Sequence, residues 1–203
     1  MGLVARLLVP GIFGAEIEDA GQPLAPHAEE EILVARAAPK RRRDFVLGRA
    51  CARAALAGLG HGDAVIGQGE GGSPLWPAGI VGSITHTTGY AAALAAEARL
   101  FSGIGVDAER VGGVTEDLWP RLFDAAERDY LMGLGEQSRA VMATLFFSAK
   151  EACYKAWTLK GALVFRDIHI APEEGGFTAT RSDETLRGRY AVEGDLILTA
   201  AWL

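Results

Sequence analysis

The chain has 203 residues, 49% of them hydrophobic, which suits one large or two small domains with a buried core and excludes a disordered protein. Its formal net charge of −6 argues against a general nucleic-acid binder, which would be basic. No apolar run reaches the roughly 18 residues of a membrane-spanning helix, so we expect no membrane span. Cys51 and Cys153 lack metal-site spacing, and reduced thiols in a cytoplasmic protein are the simplest interpretation.

Apolar periodicity and turn residues predict a mixture of helices and strands. In the first half we expect a strand at 3–9, a short helix at 29–37, a long helix at 42–59, a loop at 67–79, and strands at 80–84 and 90–96 around a polar corner at 85–89. In the second half we expect a strand at 101–108, helical segments at 115–134 and 137–160, and strands near 164–170, 176–181 and 188–202.

The two long helices are related by an internal repeat. A shift of 102 residues superposes Phe45 on Phe147, Ala50 on Ala152, Cys51 on Cys153 and Ala54 on Ala156, and it brings Arg49 onto Glu151 and Arg53 onto Lys155. Because the shift is about half the chain length, it favours two fused copies of one fold. We therefore predict two halves, 1–100 and 101–203, with a boundary near residues 98–103.

Three carboxylates form a candidate metal site. Asp107 and Glu109 are two residues apart on a predicted strand, so both side chains should lie on one face, with Ala108 on the other. Glu151 lies between Lys150 and Lys155 on the second long helix. Three carboxylates without a nearby histidine or cysteine favour Mg²⁺ over zinc, whereas the plainer alternative is a solvated acidic strand end.

Basic and hydroxyl side chains in the first half form a candidate phosphate site. Lys40 and Arg41–Arg43 open the first long helix, and Arg49 and Arg53 lie one turn apart farther along it. Arginine side chains match phosphate geometry, although a solvated basic patch is the alternative for the first cluster. The sequence Gly82-Ser83-Ile84-Thr85-His86 ends an apolar strand with groups that can hydrogen-bond a phosphate.

Taken together, these motifs resemble the 4′-phosphopantetheinyl transferases, and most closely the larger, pseudo-dimeric class typified by the surfactin and enterobactin synthesis enzymes. The resemblance rests on Gly105-Val106-Asp107-Ala108-Glu109 and on the run from Phe147 to Ala156, FSAKEACYKA. It spans about residues 40–160. It implies an α+β fold in which two similar halves are related by pseudo-twofold symmetry, each with a long helix packed on a small, mainly antiparallel sheet.

The resemblance also implies a role for each candidate residue. The expected metal ligands are Asp107, Glu109 and Glu151, with Mg²⁺ as the cofactor and Mn²⁺ as the alternative. The expected coenzyme A contacts are Arg41, Arg49, Arg53, Ser83, Thr85, His86, Asp107, Lys150 and Lys155. The expected catalytic residues are Glu151, Lys155 and Asp107, where Glu151 or a water on the metal takes the proton of the attacking hydroxyl. Gln68 stands where related enzymes often have a lysine.

The implied reaction transfers phosphopantetheine from coenzyme A to a serine of an apo acyl, peptidyl or aryl carrier protein, with release of 3′,5′-ADP. A single cytoplasmic chain is expected to suffice, with no nucleic acid as a partner. Two alternatives remain open at this point. One is a non-catalytic module that binds coenzyme A or a nucleotide, and the other is a metal-dependent nuclease, which the acidic charge and the helical placement of Glu151 and Lys155 disfavour.

Overall fold

A computed structural model describes residues 2–157 and 164–203. The helices are α1 (Leu3–Leu7), α2 (Glu31–Val34), α3 (Pro39–Ala57), α4 (Trp119–Leu122), α5 (Ala125–Met132) and α6 (Glu136–Ala156). The strands are β1 (Ile12–Glu18), β2 (Gly67–Gln68), β3 (Pro74–Leu75), β4 (Ile80–Thr87), β5 (Tyr90–Glu97), β6 (Ile104–Arg110), β7 (His169–Glu173), β8 (Gly176–Arg181), β9 (Glu184–Glu193) and β10 (Leu196–Trp202). Among the described residues, no helix is long and apolar enough to cross a membrane.

The first half packs α3 against a three-stranded antiparallel sheet in the order β1-β5-β4. The central strand β5 is buried on both faces, because successive side chains of a strand point to opposite sides. Ala91, Ala93 and Ala95 pack in the cluster beneath α3. Tyr90, Ala92, Leu94 and Ala96 belong to a second cluster on the opposite face, which α1 covers.

The second half packs α6 against a five-stranded antiparallel sheet in the order β6-β10-β9-β8-β7. Two glycines let α6 lie directly on β6. A Cβ atom at Gly105 would be 1.7 Å from the Ala152 carbonyl oxygen, and one at Gly103 would be 1.9 Å from that of Ala156. The glycine that begins the first motif is thus required for contact between the strand of Asp107 and the helix of Glu151.

The short helix α1 covers the face of both sheets that lies opposite the long helices. Leu3, Val4 and Leu7 are buried in one cluster with side chains from β5, β6, β9 and β10. The Arg6 guanidinium also donates to the Val192 carbonyl oxygen in β9. The predicted fold class is confirmed, because each half contains a long helix on an antiparallel sheet.

Several predicted elements are wrong in type or extent. Residues 3–7 are helical rather than extended, because the Glu16 carboxylate accepts the Val4 N–H near the helix start and the apolar side chains pack on the sheets. Strand β1 was not predicted. The corner at 85–89 is shorter than expected, since β4 continues to Thr87 and β5 begins at Tyr90.

Other differences concern the ends and interruptions of predicted elements. The helical segment 115–134 is two separate helices, α4 and α5, and the loop 67–79 contains the short pair β2 and β3. The strand predicted at 188–202 is the hairpin of β9 and β10. Residues 158–160 of the last predicted helix lie outside the described residues.

Candidate active site between the two halves

The acidic side chains of β6 face α6, as strand alternation predicts. Ala108 packs in the cluster that α1 covers, so Asp107 and Glu109 lie on the opposite face. The Asp107 residue is 5% exposed, and Glu109 is half-buried. Glu151 is also half-buried on α6, one turn before Lys155. Strand β6 and helix α6 therefore bring both sequence motifs together.

Lys155 joins the two motifs directly. Its Nζ donates to Asp107 Oδ1 at 2.7 Å and to the Val106 carbonyl oxygen at 3.0 Å. The other carboxylate oxygen, Asp107 Oδ2, is buried and has no hydrogen-bond partner among the described residues. A buried oxygen without a partner costs free energy, and a carboxylate oxygen is a preferred ligand of hard cations. The carboxylates of Asp107, Glu109 and Glu151 therefore match the ligand chemistry of Mg²⁺, although among the described residues their oxygens do not all lie within 4.8 Å of one another.

The charges of the three carboxylates act on one another. Burial raises the pKa of Glu109 to about 7, and the charges of Asp107 and Glu151 add to this effect while Lys155 opposes it. Burial likewise raises the pKa of Glu151, Lys155 lowers it, and Asp107 raises it further. Mutual repulsion of this kind identifies a place where a bound cation would stabilise all three ionised groups.

Positive groups from both halves converge near the end of β4. Partial burial of the ring lowers the pKa of His86 below its usual value, and the positive charges of Arg41, Lys40 and Lys155 lower it further, against the opposing charge of Asp44. The His86 ring nitrogen Nδ1 lies 3.9 Å from Asp44 Oδ2. Arg41 and His86 are exposed. The start of α3, the end of β4 and the end of α6 thus contribute Lys40, Arg41, His86 and Lys155 to one region, the electropositive region, in which Asp44 and Asp107 supply opposing charges.

Arg49 and Arg53 bind protein groups. The Arg49 guanidinium is buried, donates to the carbonyl oxygens of Ile66 and Gly67 at 3.1 and 2.9 Å, and stacks on Phe45. Arg53 pairs with the fully buried Glu30 at 2.7 Å. These arginines anchor the segment before β2, and their contact to coenzyme A stays a prediction.

Lys150 is also separated from the site. Its side chain is 0% exposed, and its Nζ donates to Glu127 Oε2 at 2.6 Å and to the carbonyl oxygens of Leu122 and Phe165 at 2.8 and 3.1 Å. An ammonium group has three N–H donors, so all of them are used. The expectation that Lys150 holds a coenzyme A phosphate therefore conflicts with its buried ion pair.

Ser83 and Thr85 are buried, unlike the adjacent His86. The Ser83 hydroxyl accepts the Val106 N–H and the Thr85 hydroxyl accepts the Ala108 N–H, both at 3.1 Å. Thr85 Oγ1 also donates to Asp107 Oδ1 at 3.4 Å. These hydroxyls therefore contact the strand of Asp107 and Glu109, whereas the sequence predicts that they contact the coenzyme.

A second polar cluster was not predicted. Among the described residues, only Asp124, Glu127 and His169 bring metal-type ligand atoms within 4.8 Å of one another. Asp124 and Glu127 form a capping box at the start of α5, a pattern that their three-residue spacing in the sequence signals. Glu127 also accepts bonds from Lys150 and the Ile170 N–H. Protein donors thus occupy both Glu127 oxygens, and the cluster is a structural network.

Comparisons with known proteins identify the family of the chain. Residues 29–96 match the model of the 4′-phosphopantetheinyl transferase N-terminal domain, and residues 103–201 match that of the 4′-phosphopantetheinyl transferase superfamily. The chain is 39% identical to the 4′-phosphopantetheinyl transferase Npt of Nocardia iowensis over 95% of this chain and 86% of the relative. It is 36% identical to the transferase PptT of Mycobacterium tuberculosis, over 98% and 96% of the two chains.

Among solved structures, the holo-(acyl-carrier-protein) synthase of Bacillus anthracis matches 51% of this chain and 96% of that chain, with a TM-score of 0.46 and 22% identity. The matches to the family models and to both relatives confirm the resemblance drawn from the two motifs and select a transferase over a non-catalytic module or a nuclease. The chain belongs to the 4′-phosphopantetheinyl transferase superfamily, whose members transfer phosphopantetheine from coenzyme A to carrier proteins.

Proposed function

We propose that this transferase moves phosphopantetheine from coenzyme A to a serine hydroxyl of an apo carrier protein, releases 3′,5′-ADP and depends on Mg²⁺ held by Asp107, Glu109 and Glu151. The observation that carries the metal assignment is the buried, partnerless Oδ2 of Asp107. Its other oxygen is bonded to Lys155, so a cation ligand and a phosphate-binding ammonium group lie side by side. Mn²⁺, which also accepts oxygen ligands, is expected to substitute for Mg²⁺.

Arg41, His86 and Lys155 are the proposed contacts to the phosphates of coenzyme A. They are at least partly accessible, and their charges act on one another across the junction between the halves. Lys40 belongs to the same region. Arg49, Arg53 and Lys150 are omitted, because Arg49 and Lys150 are buried against protein acceptors and Arg53 forms an ion pair with the buried Glu30.

The reaction needs a proton acceptor and a stabiliser for the leaving group. The serine oxygen attacks the β-phosphate of coenzyme A, and the P–O bond to 3′,5′-ADP breaks. Glu151, or a water on the metal, accepts the serine proton. Lys155 compensates the negative charge that develops on the leaving phosphate. Bound Mg²⁺ supplies charge neutralisation at the pyrophosphate.

The assembly expected for this function is a single chain. Arg41 and His86 come from the first half and Asp107 and Lys155 from the second, so the proposed site needs no second copy. Two free, buried cysteines fit a reducing compartment, and we propose the cytoplasm as the place of action.

The decisive experiment is transfer to purified apo carrier proteins followed by mass spectrometry. The carrier should gain one phosphopantetheine only when enzyme, coenzyme A and Mg²⁺ are all present. Asp107→Asn should abolish the mass gain while circular dichroism shows an intact fold. Full activity of a folded Asp107→Asn variant, or activity in excess EDTA, would refute the metal assignment. Ranking acyl, peptidyl and aryl carriers by rate would identify the preferred partner.

A further inference from the structure

Two hydroxyl groups connect the halves of the molecule. Strand β4 is an edge of the first sheet, and β6 is an edge of the second. The N–H groups of Val106 and Ala108 in β6 donate to the hydroxyls of Ser83 and Thr85 in β4, both at 3.1 Å. Each pair is separated by 23 residues, so the two strands run in the same direction. Side-chain hydroxyls thus replace the backbone carbonyls of an ordinary strand pair.

These two hydrogen bonds between β4 and β6, which we call the bridge, are buried and stabilise the junction between the halves. Ser83 is 5% exposed and Thr85 is 4% exposed. A buried N–H that loses its acceptor costs about 1–3 kcal/mol, so the hydroxyls stabilise this junction. Alternation along β4 points both hydroxyls toward β6, and it points His86 to the other face, near Asp44 at the start of α3.

The two bonds lie on either side of Asp107. Val106 and Ala108 are its immediate neighbours, and Thr85 Oγ1 also donates to Asp107 Oδ1. On the opposite edge of β6, Asp107 pairs in register with Thr199, whose hydroxyl bonds to Ser148 of α6 at 2.9 Å. The strand of Asp107 is therefore held by the β4 hydroxyls on one edge and by pairing with β10 on the other.

The hydrogen bonds that the Thr85 hydroxyl already makes also argue against a direct contact between Thr85 and the coenzyme. Its hydroxyl has one hydrogen to donate, which Asp107 accepts, and it already accepts the Ala108 N–H. A phosphate at this place would have to displace Asp107 from the bond. The adjacent His86 is exposed and needs no such exchange.

We propose that Ser83 and Thr85 are positioning residues of the metal site. They hold Asp107 at a fixed place relative to the coenzyme-binding half, and so match the position of the metal ligands to that of the bound phosphates. This inference rests on the proposed function, because it takes Asp107 as a metal ligand. Partners that orient a metal ligand typically change metal affinity about 10–100-fold when they are removed.

The test measures metal and coenzyme binding separately in Thr85→Val, which keeps the shape of the side chain and removes the hydroxyl. Mn²⁺ binding without coenzyme is followed by loss of the free-ion electron paramagnetic resonance signal, and coenzyme A binding is followed by calorimetry in EDTA. We expect Mn²⁺ affinity to fall about tenfold, with coenzyme A affinity in EDTA unchanged. Thr85→Ser, which retains the hydroxyl, should restore Mn²⁺ binding.

Thr144→Val is the matched control. It removes another buried threonine hydroxyl, which bonds to the Ala140 carbonyl oxygen within α6, away from the bridge. It should lower the unfolding temperature without changing Mn²⁺ affinity. Ser83→Ala removes the other bridging hydroxyl with little change in volume and decides the question if Thr85→Val does not fold.

The following outcomes would overturn the inference. Wild-type Mn²⁺ affinity in folded Thr85→Val and Ser83→Ala would remove the positioning role. Weaker coenzyme A binding in EDTA with unchanged Mn²⁺ affinity would assign the hydroxyl to the phosphates instead. The Asp107→Asn variant separates this failure from that of the proposed function: if Asp107→Asn loses Mn²⁺ and Thr85→Val does not, only the positioning role fails. If both variants retain Mn²⁺, the metal site and the inference fail together.

Discussion

The Lys155 ammonium lies 2.7 Å from Asp107 Oδ1, so an ion pair fastens the last turn of α6 to the strand that carries two proposed metal ligands. The Asp107 side chain is 7% exposed and that of Lys155 is 28% exposed, so water solvates the ammonium better than the carboxylate. Lys155 thus supplies the positive charge that this buried carboxylate needs before a metal binds.

Lys155→Met should make the stability of the enzyme depend more strongly on the metal. Without the ammonium, Asp107 is a buried charge with no cation nearby to compensate it. In EDTA the unfolding temperature should therefore fall, by about 2–4 °C for each kcal/mol by which the free energy of unfolding decreases. Mg²⁺ should then raise the unfolding temperature of the variant more than that of the wild type. Lys40→Met, which breaks an exposed pair with Asp44, is the control. An equal effect of Mg²⁺ on all three proteins would contradict the prediction.

Arg41→Ala and Arg53→Ala should have opposite consequences. Arg41 is exposed in the electropositive region, so its loss should weaken coenzyme A binding about tenfold and leave the unfolding temperature unchanged. Arg53 compensates the buried Glu30, so its loss should lower the unfolding temperature and leave coenzyme A binding intact in the folded fraction. Calorimetry and thermal unfolding of both variants check the pair. Weaker coenzyme A binding in folded Arg53→Ala would instead support the role expected from the sequence, in which Arg53 contacts coenzyme A.

Lys150→Met should destabilise the fold rather than weaken coenzyme binding. Removing one member of a fully buried ion pair costs about 3–5 kcal/mol, because Glu127 then stays buried without its cation. Urea unfolding gives this loss, and calorimetry at a temperature where the variant is folded gives its coenzyme A affinity. Glu127→Gln is a second variant, which should destabilise without touching any proposed phosphate contact. If Lys150→Met has normal stability but binds coenzyme A weakly, Lys150 contacts the coenzyme and does not serve mainly to stabilise the fold.

The elements that carry the chemistry were predictable because their patterns are local. The apolar spacing of α3 and α6 gives both long helices within a few residues, and alternation along β6 places Asp107 and Glu109 on one face. The segment at Leu3–Leu7 was not predictable in this way. It is helical because Glu16 bonds the N–H of Val4 and both sheets bury its apolar residues, and these contacts come from distant parts of the chain.

Three of the predicted phosphate contacts already have protein partners, and they share one physical cause. Lys150, Arg49 and Arg53 carry charges that suit phosphate, yet each binds an acceptor 15 to 28 residues away in sequence. No local pattern shows whether a cation is already paired in the fold. For the same reason the sequence does not predict the hydrogen bond between Thr85 and Ala108. This bond forms only because the edge strands of the two sheets pack against each other.

Metal affinity should depend on pH near neutrality. The pKa of Glu109 is raised to about 7, and only the ionised carboxylate binds a cation. Mn²⁺ affinity should therefore be constant well above pH 7 and fall about tenfold for each pH unit below it, as one proton is displaced on binding. Titrations between pH 6 and 8 give this slope. Glu109→Gln should bind more weakly and lose the pH dependence; an unchanged slope would assign the proton to another group.

Coenzyme binding should raise the pKa of His86. In the free protein, burial and the positive charges of Arg41, Lys40 and Lys155 hold this pKa below the usual value of 6.5. A bound phosphate would add negative charge and favour the protonated ring, so binding takes up a proton and the affinity should increase as the pH falls through this range. Nuclear magnetic resonance of the imidazole with and without 3′,5′-ADP, in EDTA, gives both pKa values.

The His86→Gln variant identifies the imidazole resonance and provides the matched comparison. It should bind 3′,5′-ADP more weakly at pH 6, where the wild-type ring is best protonated, and nearly equally at pH 8, where the neutral ring adds no charge. Because EDTA removes the metal, titration of the carboxylate ligands affects both proteins alike. A His86 pKa that does not move when the ligand saturates the protein would exclude the ring from the phosphate site and leave Arg41 and Lys155 as its proposed contacts.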